Sequence, residues 1–196
     1  MNQLIIWIHA GALAFFLKPV TVTDEKENIT YQFTSTDSGY SFYGSFNISS
    51  KPECLLEICF EYEHIRALAP DAQEVILLDQ GKNWNKISYT YLKFLYFENK
   101  SVWYRILDEE NQKVNFSLVS SENNRSIMPQ LISSDGYYQL KQQGKSFLLE
   151  YFQQFQITEA RITKLYLNRV KKEAIKFMYG FFQFTKEHCS DIKSID

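Results

Sequence analysis

From Thr158 to Cys189 the chain reads as one long helix, and nearly everything between Gln73 and Ile157 reads as strand. Leu167, Val170, Ala174, Phe177 and Phe181 recur at helical spacing, and Leu165 and Met178 widen the stripe. Such a stripe must be covered by another apolar surface. Arg161, Lys164, Arg169, Lys171, Lys172 and Lys176 make the rest of the helix basic. Gly180 marks a place where the helix could kink or stop before Phe181-Phe182-Gln183-Phe184.

The strands are separated by short turns, which implies antiparallel neighbours. Residues 73–79 meet a turn at 80–83. A long strand over 84–97 is followed by a turn at Glu98-Asn99-Lys100, then a strand over 101–107. Asp108-Glu109-Glu110-Asn111 leads to a strand over 114–120, and a polar loop around Asn123 and Asn124 follows. Strands over 136–141 and 145–157 flank a turn at Gln142-Gln143-Gly144. In the long strand Ile87, Tyr89 and Tyr91 share one parity, but Leu92, Phe94 and Tyr96 take the other. A one-residue bulge near Tyr91-Leu92 reconciles the two halves and bends the strand.

Upstream, Tyr40–Ile48 alternates cleanly, with Phe42, Gly44, Phe46 and Ile48 on one face. Ser50 and Glu53 have the spacing of a capping box, with Pro52 at a helix start. Leu55, Leu56, Cys59 and Phe60 give that helix an apolar side. A second short helix, His64–Ala69, is halted by Pro70, which disfavours helix at the residue before it. Residues 18–39 read as a linker or a loose first strand. The expected division is therefore 1–39 as an apolar segment with linker, 40–189 as the domain, and 190–196 as a tail.

A formal net charge of −2 points no field at nucleic acid. Cys54, Cys59 and Cys189 are odd in number and irregularly spaced, so all three read as reduced structural residues. His9, His64 and His188 form no ligand motif, and neither a metal nor a cofactor is expected. Leu4–Leu17 is apolar but short for a membrane span. It lacks a basic start, although Ala12-Leu13-Ala14 resembles a cleavage site. A cytoplasmic location is favoured, and export through residues 1–17 stays open. Asn-x-Ser/Thr occurs at Asn28, Asn47, Asn99, Asn115 and Asn124, a number ascribed at this level to chance.

Three stretches carry a resemblance. They are YSFYGSFNISSKPECLLEICFEYEHIRALAP, then AQEVILLDQG, then DGYYQLKQQGKSFLLEYFQQFQI. Strand, two short helices, six strands and a long final helix resemble the START-like or SRPBCC superfamily, which includes polyketide cyclase/dehydrase-type and coenzyme-Q-binding proteins. The resemblance spans about residues 40–185. It implies an α+β helix-grip fold, a curved antiparallel sheet of about seven strands wrapped around the last helix. It also implies a cavity between sheet and helix, closed at one end by the short helices and suited to a lipid, isoprenoid or polyketide-like molecule.

On that basis the cavity wall is expected to include Phe60 and Leu68 from the short helices. The strands supply Ile87, Tyr89, Tyr91, Tyr104, Phe116, Tyr138, Leu149 and Tyr151, and the last helix Leu167, Val170, Ala174 and Phe177. Arg105 is the polar candidate: facing inward, its guanidinium would hold a ligand carboxylate or phosphate. The alternation mildly favours Val102, Tyr104 and Ile106 facing in, which would turn Arg105 to the surface. Glu63 and His64 could serve a cyclase as an acid-base pair, but no catalytic constellation is assigned and enzymatic activity is disfavoured. Peripheral membrane contact is conceivable through the basic helix face and Phe181, Phe182 and Phe184. A module that grips a protein partner over a filled interior is the third reading, and oligomeric state is left open.

Overall fold

The computed structural model describes residues 20–24, 28–36, 38–69, 71–94, 97–123, 129–161 and 163–189. Its strands are β1 (Val20–Asp24), β2 (Ile29–Thr36), β3 (Gly39–Ile48), β4 (Glu74–Gly81), β5 (Trp84–Phe94), β6 (Phe97–Asp108), β7 (Lys113–Asn123), β8 (Leu131–Gln143) and β9 (Ser146–Ile157). Helices α1 (Pro52–Phe60) and α2 (Tyr62–Ala67) stand between β3 and β4, and α3 (Thr163–Cys189) closes the chain. The strands form one sheet of nine in the order β1-β2-β3-β9-β8-β7-β6-β5-β4. Every neighbouring pair is antiparallel. Register shifts at Leu77/Asp79, Tyr91/Phe94, Val102/Trp103 and Leu131/Ser133 bend the strands. The second of these is the bulge expected from the parity change after Tyr91.

The sheet has nine strands where about seven were expected, and the two added ones come from residues 18–39, read as a linker or a loose first strand. In β2, Ile29, Tyr31 and Phe33 alternate with Thr30, Gln32 and Thr34, and Ile29 and Phe33 are buried. The acidic run Asp24-Glu25-Lys26-Glu27 beside them masks that pattern in the sequence. The turn placed at 98–100 is wrong: those residues belong to β6, where Asn99 pairs with Tyr91 and Lys100 with Thr90 of β5. The last helix begins at Thr163 and runs through Gly180 to Cys189, so it does not end there. The expected inward orientation of Leu92, Phe94 and Tyr96 lies outside the described side chains, as do residues 1–19 and 190–196.

The C-terminal half of α3 is bolted onto the sheet. Met178, Phe181, Phe182, Thr185 and Cys189 are buried there. Phe46 of β3 meets the rings of Phe181 and Phe182 at 5.5 and 5.2 Å. Gly44 is what lets the helix approach: a Cβ at that position would lie 2.5 Å from Met178 Sδ and 2.6 Å from its Cε. Gly44→Val is therefore expected to cost about 1–3 kcal/mol by overpacking, read as a drop in the urea midpoint with unchanged m-value.

The expectation of three reduced cysteines is overturned. Cys54 of α1 and Cys189 of α3 are disulfide-bonded, with Cα atoms 5.9 Å apart across a sequence separation of 135. An odd count excludes a fully paired set but not one bridge and a spare, and the fold creates this proximity. Cys59, on the other side of α1, is the free cysteine and is buried. The capping box is also absent. Lys51 is the N-cap of α1, with no side-chain hydrogen bond. The Ser50 hydroxyl instead donates to the Cys189 carbonyl. The two bonds together tie the start of α1 to the end of α3.

Candidate functional site

Pairing register decides which side chains face the helix. Gly44 and Phe46 face α3, and opposite residues in paired strands share a face. Following the register from β3 outward, Leu149 and Tyr151 of β9, Leu140 and Tyr138 of β8, and Val114 and Phe116 of β7 all face in. Phe116 lies opposite Arg105, which lies opposite Asn85. The inward residues of β6 are therefore Trp103, Arg105 and Leu107, and those of β5 are Asn85, Ile87, Tyr89 and Tyr91.

This corrects two expectations on one strand. Tyr104 faces outward, its ring 5.6 Å from Trp84, so it belongs to no cavity wall. Ile106 is likewise outward and 41% exposed. Arg105 faces in and is only 6% exposed. Both parities of β6 carry apolar residues, so the alternation alone could not choose; the flanking strands do.

The remaining wall candidates fall into two groups. Phe60, Ile87, Phe116, Tyr138, Leu149 and Tyr151 are buried in the packed core, Ile87 and Leu149 without any accessible surface. Leu68, Leu167, Val170, Ala174 and Phe177 pack against that core but are only partly buried. Tyr89 is half-buried, and Tyr91, stacked on it at 6.3 Å, is 36% exposed. Burial nonetheless raises the Tyr91 hydroxyl pKa. The inner stripe of α3 is buried at Met178, Phe181 and Phe182 and only partly buried at Leu167, Val170, Ala174 and Phe177, where the Phe177 ring lies 5.1 Å from that of Tyr151 and Lys171 lies 5.4 Å from the Phe33 ring.

Arg105 sits where α1 meets the sheet. Its guanidinium donates to the Cys59 carbonyl, and Asn85 Nδ2 donates to the Phe60 carbonyl at 2.8 Å. These are terminal carbonyls of α1, which favour a positive group. The Arg105 Cζ lies 5.5 Å from the Tyr138 ring centre and 5.9 Å from that of Phe116. The phenols of Tyr89 and Tyr138 feel the guanidinium's positive charge. Burial raises both phenols, with Arg105 opposing it, so they remain O–H groups at neutral pH. Arg105 Nε and Asn85 Oδ1 are buried without a partner among the described residues. No salt bridge to Arg105 occurs among the described residues either. Asn85 and Trp103 escaped the sequence reading. Asn85 shares parity with Ile87 and could have been found from it.

Other candidates fall away from this site. Glu63 is exposed, and His64 packs 5.8 Å from Phe184 and 6.0 Å from His188, at the far end of α3. Burial pushes the Cys59 thiol up to about 12, although Arg105 opposes it, so it is no thiolate nucleophile. Phe181 and Phe182 are buried and cannot insert into a bilayer as placed. Among the described residues no helix is long and apolar enough to cross a membrane. Two open grooves of about 490 and 360 Å³ lie on the outer side of the sheet, around Glu109 and around Tyr137. Neither is lined by a residue of α3.

No family model matches the sequence, and no curated protein matches it. Solved structures match by fold. A STAR-related lipid transfer protein from Xanthomonas axonopodis superposes with a TM-score of 0.63 at 11% identity, over 84% of this chain and 97% of that one. The Zhui aromatase/cyclase from a Streptomyces species gives 0.60 at 10% identity, over 75% and 94%. The human StarD13 (DLC2) lipid transfer and protein localization domain gives 0.59 at 9% identity, over 85% and 88%. The chain thus has the helix-grip fold of START-like, or SRPBCC, proteins, with nine strands in place of the seven expected.

Proposed function

We propose that the protein binds and carries a hydrophobic small molecule with one polar or anionic end. Its apolar body lies between the Leu167–Phe177 stretch of α3 and the wall formed by Tyr89, Tyr91 and Trp103. Its polar end meets Arg105 and the Tyr89 and Tyr138 hydroxyls. The observation that carries this reading is a guanidinium 6% exposed, with an unpartnered Nε and no salt bridge among the described residues. A buried charge left so is costly, and a ligand carboxylate, phosphate or carbonyl would relieve the cost. Lipid-transfer proteins among the fold neighbours support the same class of ligand.

A cyclase-type activity has less support. The aromatase/cyclase neighbours share the fold. However, Glu63 and His64, the acid-base candidates, lie outside the space described, and fold likeness carries no chemistry by itself.

Protein purified from its own host should carry the ligand. Native mass spectrometry is expected to show a bound species, and organic extraction should release a molecule with an apolar body and an acidic or carbonyl end. Release of a wholly apolar hydrocarbon would contradict the role given to Arg105. An extract without any apolar molecule, from protein that also fails to take up added lipid, would contradict binding altogether.

A further inference from the structure

We infer that the chain is N-glycosylated at Asn28 and Asn47. Five of its eleven asparagines stand in Asn-x-Ser/Thr. With Ser and Thr about one residue in eight, one or two would be expected by chance, and the excess asks for a cause. The Cys54–Cys189 bond supplies an independent one. Disulfides that link structural elements persist in oxidising compartments, where oligosaccharide transfer to asparagine also takes place. The apolar run Leu4–Leu17, with Ala12-Leu13-Ala14, has a composition compatible with an export leader.

The fold then selects among the sequons. Asn28 is exposed in the turn between β1 and β2, where its φ of 53° is a conformation asparagine tolerates. Asn47 is exposed near the end of β3, on the side opposite to Phe46 and α3. Glycans at both positions would leave the space behind α3 clear. Asn99 is half-buried and faces inward opposite Tyr91, so a glycan there would fill the opening. Asn115 is half-buried within β7 and packed between β6 and β8. Asn124 lies outside the described residues.

The transfer needs a polyprenyl-diphosphate-linked oligosaccharide as donor. The asparagine Nδ2 forms a bond to the anomeric carbon and loses a proton. The anomeric C–O bond breaks, and the polyprenyl diphosphate leaves with the electron pair.

The test is glycopeptide mapping of protein from its own host, with enzymatic glycan release in ¹⁸O-water. The released Asn28 and Asn47 should become ¹⁸O-labelled aspartates, while Asn99 and Asn115 stay unlabelled. N28Q and N47Q should each remove one glycan as a discrete mobility step. Unmodified peptides at both Asn28 and Asn47 would overturn the proposal, as would a glycan on Asn99 or Asn115 in their place. Ligand binding plays no part in this readout, so its failure and that of the proposed function are separable.

Discussion

Reduction of the Cys54–Cys189 bridge is expected to lower stability by about 3 kcal/mol, roughly 6–12 °C in thermal midpoint for a domain of this length. The bond closes a loop across a sequence separation of 135, so in its absence the unfolded chain recovers much freedom. It also holds the start of α1 against the last residue of α3, where Ser50 adds only a single hydrogen bond. A Cys54→Ser/Cys189→Ser double variant and the reduced wild type should melt together. Cys59 is not expected to substitute as a partner, since it is buried on the other side of α1. A double variant melting within about 1 °C of the oxidised wild type would show that the bridge contributes nothing.

The second large effect is at Arg105. Arg105→Met should weaken binding of a fluorescent polyene fatty acid by about 10- to 100-fold, the range of a charge-assisted hydrogen bond of about 1.5–3 kcal/mol. The matching fatty alcohol should lose no more than about threefold, because its apolar body is held elsewhere. The variant also leaves the Cys59 carbonyl without its donor, a cost of about 1–3 kcal/mol in stability. Both titrations are therefore run where circular dichroism shows the variant folded. Arg105→Lys keeps a charge but not the forked geometry, and should restore part of the acid preference. Equal losses for acid and alcohol would mean that Arg105 caps α1 and does nothing more.

What could be read in advance follows a physical division. Patterns local to one element were legible: the alternation of Tyr40–Ile48, the stripe of α3, and the parity change after Tyr91 that became a bulge. Facts set by pairing between distant segments were not. Arg105 turned inward because Asn85 and Phe116 sit opposite it, which no property of β6 alone reveals. Cys54 meets Cys189 only once α3 has docked. The strand β2 was hidden by an acidic neighbour rather than by weak alternation. The wall list suffered from the same limit: the alternation of β6 alone favoured Val102, Tyr104 and Ile106 facing in, and the flanking strands turn Trp103, Arg105 and Leu107 inward instead. Nor does parity separate packed core, as at Ile87 and Leu149, from exposed or partly buried positions, as at Tyr91 and Leu167.

The proposed ligand space between α3 and the sheet is best tested by filling it. Ala174 lies in the helix stripe, packed against the core but only partly buried. Titration of Ala174→Trp with the fluorescent fatty acid, beside wild type, is the measurement. Wild type should saturate at one molecule per chain, and the folded variant should lose at least about tenfold in affinity as the indole takes the ligand's place. Equal binding by both proteins, or saturable binding by neither, would contradict a ligand-sized opening between α3 and the sheet.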